Sequence, residues 1–150
     1  MGESIKDTLA LNSYIKQQFD IKEVDMRTYS PLTLAYIGDG IYDIIIRSIV
    51  VDRANTSANR LHKHTSSMVK AQTQARMIEL LQEHLSQEEA DIYRRGRNAK
   101  SYTTAKNASV ADYRKATGFE AVMGYLYLKD DIKRAIELVK LGAQLLDLKL

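Results

Sequence analysis

PLTLAYIGDGIYDIIIRSIVV, residues 31–51, is an apolar stretch with two carboxylates and two glycines set into it. Leu34, Ile37, Ile41, Ile44, Ile45 and Ile49 recur at steps of three and four, the period of a helix face packed on a core. Ser30 suits the N-cap and Pro31 the first helical position, where a missing N–H costs nothing. On a second line, Asp39, Asp43 and Arg47 follow four apart and stack on one side of the helix. Two like charges at that spacing repel by roughly 0.2–0.5 kcal/mol on an exposed helix, and a cation between them reverses the sign. Asp43 can equally pair with Arg47 as a surface bridge and leave Asp39 solvated. Gly38 and Gly40 each cost about 1 kcal/mol relative to Ala inside a helix. Their presence points to another backbone, a second subunit or a ligand close by. The Gly-Asp-Gly string lacks the spacing and the strand–loop–helix setting of a phosphate loop.

The rest of the composition supports helices. One proline in 150 residues and 45% hydrophobic residues describe one globular domain with few chain breakers. With no cysteine, neither disulfides nor thiolate metal sites are available. No segment approaches the roughly 18 unbroken apolar residues of a membrane span. The start MGESIK reads as neither a signal peptide nor a myristoylation signal, so the cytoplasm is the expected compartment.

N-terminal to the central stretch, Ser4 to Phe19 reads as an amphipathic helix with Ile5, Leu9, Leu11, Ile15 and Phe19 on its apolar side, followed by a polar connection from Asp20 to Tyr29. C-terminal to it, a loop over Asp52 to Asn59 precedes a short helix to about Thr65 and a longer one from Ser66 through Leu85. His62 and His64 project about 200° apart on a helix and have no third ligand nearby, so they read as a polar face. Ser86-Gln87-Glu88-Glu89 is a capping box that starts a short helix, for which Gly96 and its flanking arginines suit the C-terminus. Another helix runs from Ser109 to about Lys129. Asp130 to Leu150 reads as an amphipathic helix with Ile132, Ile136, Val139, Leu145 and Leu148 inward. The expectation is an all-α fold of six or seven helices.

Two features stand apart from core packing. Between Arg94 and Lys115 the cations Arg94, Arg95, Arg97, Lys100, Lys106, Arg114 and Lys115 face a single acid, Asp112, with small hydrogen-bonding side chains among them. Such a strip is either a solvated loop or a phosphate-contacting surface. In ATGFEAVMGYLYL, residues 116–128, Glu120 is the only charge, and a carboxylate there is costly unless paired, protonated or bound to metal. Asp39, Asp43 and Glu120 together, without a histidine, cysteine or lysine partner, suit a hard divalent ion such as Mg²⁺ or Mn²⁺. Beside a basic strip, they point to metal-assisted phosphodiester hydrolysis.

Leu34-Ala35-Tyr36-Ile37-Gly38-Asp39 resembles the signature helix of the ribonuclease III family, and Phe119-Glu120-Ala121-Val122-Met123-Gly124 resembles its second acidic motif. Arg95-Gly96-Arg97-Asn98-Ala99-Lys100 and the expected lack of an appended double-stranded RNA-binding domain resemble the Mini-ribonuclease III group of that family. The similarity runs from about Pro31 to Leu128.

The resemblance implies a ribonuclease III-like catalytic domain over residues 30–150, with residues 1–29 as an N-terminal helix and connection. It implies a homodimer that cuts double-stranded RNA with Mg²⁺, leaving 5′-phosphate and 3′-hydroxyl ends, and that matures the ends of precursor 23S ribosomal RNA. Asp39 and Glu120 match the two essential catalytic, metal-binding carboxylates. Asp43 is read as a metal contact through water or as a partner of Arg47. Arg94, Arg95, Arg97, Lys100, Lys106 and Arg114 are the RNA-binding candidates. Signature helices pair across the dimer in the family, which would give Gly38 and Ala35 a reason. Longer family members carry further acids where this chain has Leu32, Ala35 and Thr117. That thinning keeps an alternative open, an inert RNA-binding or ribosome-associated protein with the same fold.

Overall fold

The computed structural model describes residues 10–100 and 109–150. Among the described residues seven α-helices follow one another: α1 (Leu11–Gln18), α2 (Pro31–Arg53), α3 (Ala58–Val69), α4 (Ala71–Leu81), α5 (Gln87–Asn98), α6 (Val110–Leu128) and α7 (Ile132–Leu145). Single 3₁₀ turns lie at Met26–Thr28 and Gln82–His84, and no strand occurs among the described residues.

Helix starts follow their caps. Ser30 Oγ accepts from the Thr33 amide at 3.2 Å, Ser57 Oγ from Arg60 at 3.3 Å and Ser109 Oγ from Asp112 at 3.0 Å. At α5 the capping box is complete, with Ser86 and Glu89 bonded reciprocally. Glu89 also receives two bonds from Arg134 at 2.9 Å, which ties α7 to α5. Burial works against its carboxylate form, but the Arg134 guanidinium and the Ser86 donors hold the carboxyl below its usual range.

The centre is the crossing of α2 and α6. Phe119, Val122, Met123 and Leu126 from α6 meet Tyr42 and Ile46 from α2, with Met77, Ile78 and Leu81 of α4 and Leu138 of α7 closing the core. The Tyr42 and Phe119 rings meet edge to face at 5.4 Å. Gly38 makes this closeness possible. A Cβ on it would overlap the Glu120 carbonyl and stand 2.7 Å from the Gly124 nitrogen. Gly124 in turn lies against the Leu34 carbonyl. Gly38 is therefore explained within one chain, where the family resemblance placed its reason across a dimer. Ala35 likewise packs with Leu34 and Ala121.

Several sequence expectations are corrected. The helix expected from Ser66 to Leu85 is broken at Lys70, whose backbone is extended (φ −65°, ψ 152°). The break strands the last carbonyls of α3, and tertiary donors take them: Tyr42 Oη bonds Met68 O at 2.9 Å, Thr73 Oγ1 bonds Ser67 O at 2.8 Å and Gln74 Nε2 bonds Val69 O at 2.8 Å. Gly96 does not end α5, which continues to Asn98. Gly96 sits inside the helix because a Cβ there would stand 2.9 Å from Gly118 Cα. Helix α7 stops at Leu145, where Asp147 enters the left-handed region (φ 54°). Its inward face is Ala135, Leu138, Val139, Gly142 and Ala143, because small residues let it approach Met77, and Ile136 and Leu145 are left exposed. Helix α1 buries none of its residues. Leu11, Ile15 and Phe19, expected on a packed face, are exposed, and Ser13 Oγ touches the body of the fold at Asp130, 2.5 Å away.

The two glycines of the central helix should separate cleanly on substitution. Gly38→Ala forces α2 and α6 apart and should cost about 3 kcal/mol or more, the upper end of overpacking. Gly40 has open space where its Cβ would be, so Gly40→Ala should be neutral or stabilise by about 0.5–1 kcal/mol. Urea unfolding followed by circular dichroism measures both.

Candidate active site

The glycine crossing sets Asp39, next to Gly38 on α2, against Glu120 on α6. Glu120 is half-buried and Asp39 exposed, so the pair opens from the core edge to solvent. The two side chains share a hydrogen bond. On its other side Glu120 Oε2 accepts from Gln74 Nε2 at 3.3 Å. Burial, the Asp39 charge and the bond to Asp39 push the Glu120 carboxyl from the usual 4.5 up to about 8, against the lowering effect of Gln74. Near neutral pH Glu120 therefore holds a proton that a rise in pH removes.

Of the three acids singled out in sequence, the structure brings two together. The half-exposed Asp43 is engaged one turn on, where Arg47 Nε donates to its Oδ2 at 2.6 Å. His62 and His64 are exposed on α3, and among the described residues no group of three or more acids or histidines is arranged to hold a metal. Positions 35 and 117, acidic in longer relatives, hold buried Ala35 and a buried Thr117 whose hydroxyl bonds the Tyr113 carbonyl at 2.9 Å.

Helix α5, which carries the first residues of the basic strip, packs on α6 through a second glycine contact. Gly96 of α5 lies against Gly118 and Ala121, on either side of Glu120 in sequence. Arg95 and Arg97 flank that contact. Arg97 stacks over the Tyr93 ring at 5.5 Å, and Arg94 pairs with Asp91 at 3.1 Å. Arg95, Lys100 and Arg114 are exposed and make no ion pair with a described residue. Lys115 is paired with Glu79. Lys106 lies outside the described residues. The residue that sequence reasoning missed is Gln74. A polar side chain inside the apolar pattern of α4 was its only signal.

Because the fold favours protonated Glu120, its contribution to metal-free stability is fully present below about pH 4.5 and is lost as pH rises toward about 8. The melting temperature in chelator should fall across that window. Glu120→Gln should flatten the slope and raise the melting temperature at pH 8, as read by scanning calorimetry.

A Ribonuclease III domain matches residues 32–131. Mini-ribonuclease 3 of Clostridium tetani is 49% identical over 118 residues, 78% of this chain and 78% of that protein. Mini-ribonuclease 3 of a Thermoanaerobacter species is 48% identical over 118 residues, 79% of this chain and 83% of the relative. In three dimensions the chain is similar to the crystal structure of protein FN1578 from Fusobacterium nucleatum, with a TM-score of 0.73 and 25% identity over 81% of this chain and 94% of the other. The chain belongs to the ribonuclease III family, within its Mini-ribonuclease 3 group, and is an endoribonuclease of that type.

Proposed function

We propose that the chain is a Mg²⁺-dependent endoribonuclease that cleaves double-stranded RNA to 5′-phosphate and 3′-hydroxyl ends, and that its substrate is a helical stem of precursor 23S ribosomal RNA. The observation that carries this reading is the hydrogen-bonded pair of Asp39 and Glu120 at the core edge. Two apposed carboxylates fit a hard cation, whose binding releases the Glu120 proton, and Mn²⁺ has the same donor preference. Mg²⁺ supplies there the Lewis acidity that phosphodiester hydrolysis needs at neutral pH. Asp39 and Glu120 hold it, while Asp43, bonded to Arg47, is assigned at most a contact through water.

Arg94, Arg95, Arg97, Lys100, Lys106 and Arg114 bind the phosphates of the duplex in this reading. Support comes from the Gly96–Gly118 contact, which anchors the strip two residues from Glu120. Duplex RNA is read mainly through phosphates and 2′-hydroxyls, so a cationic strip with hydrogen-bonding neighbours suits it.

The active form we assign is a homodimer. On α2, Leu32, Tyr36, Gly40 and Ile44 follow at steps of four on the solvent side. Tyr36 is 83% exposed, Ile44 is 55% exposed, and Gly40 between them leaves room for a second backbone. The stripe continues into an apolar groove lined by Ile41, Ile44, Ile132 and Ile136. A two-fold interface there would set one carboxylate pair for each strand of a duplex. We assign the reaction to the cytoplasm, together with its RNA. Among the described residues no helix is long and apolar enough to cross a membrane.

Asp39→Asn and Glu120→Gln should each slow Mg²⁺-dependent cleavage of duplex RNA by about a thousandfold or more. Duplex binding should be retained in both and should weaken steeply with added salt. Full activity in both variants would sink the site, and binding without cleavage by the native chain would favour the inert alternative. For the dimer, light scattering after size exclusion should find two copies in the native protein and one in the Tyr36→Glu, Ile44→Glu double variant. A monomeric native chain at micromolar concentration overturns the assignment.

A further inference from the structure

Gln74 is the least exposed of the buried polar side chains among the described residues, at 2%, and it stands in the first turn of α4. Its neighbours inward on that helix are Met77, Ile78 and Leu81, so packing alone would be served by leucine. The break at Lys70 fixes how the amide faces. The Val69 carbonyl can only accept, so the Gln74 Nε2 must point to it, at 2.8 Å. The second hydrogen of the same nitrogen is then directed to Glu120 Oε2, at 3.3 Å. Oε1 is left buried with no donor among the described residues. A native fold seldom leaves such an acceptor unmet unless something that binds there meets it.

We propose that Gln74 is the positioning residue of the Asp39–Glu120 site: its amide N–H orients the Glu120 carboxylate for a divalent cation, and its Oε1 accepts from a water of that cation's hydration shell. The inference rests on the reading of Asp39 and Glu120 as the cation site. The chemistry of the side chain suits the task. An arginine or lysine in this place would compete with the cation for the carboxylates, and a third acid would add to their repulsion. A neutral amide orders Glu120 without cancelling its charge. It thereby supplies Glu120 with a donor that leaves both carboxylates free for the cation.

Mn²⁺ is titrated calorimetrically into the RNA-free protein in its native, Gln74→Leu, Glu120→Gln and doubly substituted forms. Gln74→Leu should weaken Mn²⁺ binding by about 10–100-fold, the range typical of groups that orient a metal ligand. In the Glu120→Gln background the same change should have no further effect. In cleavage assays Gln74→Leu should lower kcat with KM for duplex RNA within about twofold of native, a split that loss of the Val69 cap alone would not produce. Native Mn²⁺ affinity and kcat in Gln74→Leu, with only a lower melting temperature, would overturn the proposal. Native Mn²⁺ affinity in Glu120→Gln would instead overturn the cation site itself. Should Gln74→Leu not fold, the native chain still answers. Mg²⁺ should shift the ¹⁵N-coupled side-chain amide resonances of Gln74 in step with those of the backbone around Glu120. Amide signals unmoved while Glu120 responds would refute the role.

Discussion

Close approach of two helices is the constraint on which the structure depends. Gly38 on α2 lies against the Glu120–Gly124 backbone of α6, and Gly124 lies against the Leu34 carbonyl. Each glycine is unfavourable in its own helix, and together they allow a separation that any side chain would prevent. The hydrophobic return is the seam of Tyr42, Ile46, Phe119, Val122 and Met123, all almost fully buried. The chemical consequence is that Asp39 and Glu120, some eighty positions apart in sequence, come within hydrogen-bonding reach. Packing and the candidate site use the same contact.

The electrostatics follow from that placement. A carboxylate brought to the core edge beside a second one resists ionisation, and the elevated proton affinity of Glu120 measures that resistance. Among the described residues no cationic side chain relieves it. Arg47 is directed to Asp43, Lys115 to Glu79 and Arg134 to Glu89, so every ion pair near the centre is made with a different acid. Among the described residues the Gln74 amide alone donates to Glu120 from the other side. The pair is left without a cationic partner among the described residues.

Much of this was legible in the chain. The caps at Ser30, Ser86 and Ser109 stand where local chemistry puts them, because a serine hydroxyl needs only the amide two or three residues on. Asp39 and Glu120 were conspicuous as charges inside apolar runs. Other features were hidden. The break at Lys70 has no proline or glycine to announce it and exists because Tyr42, Thr73 and Gln74 take the carbonyls it frees. The inward face of α7 is set by small residues, so a search for large apolar residues chose Ile136 and Leu145 wrongly. Asp43 looked equal to Asp39 by spacing, yet side-chain geometry gave it to Arg47.

Residue type and period by themselves determined the helical class, the helix starts at Ser30, Ser86 and Ser109, the three candidate acids and the cationic strip, because these depend on interactions within a turn or two of chain. Which face of each helix is buried, why Gly38 is needed and Gly40 is free, and that Gln74 supports Glu120 were decided only by tertiary structure. Those properties depend on the distance between backbones that are remote in sequence, and that distance is set by the packing of the whole core.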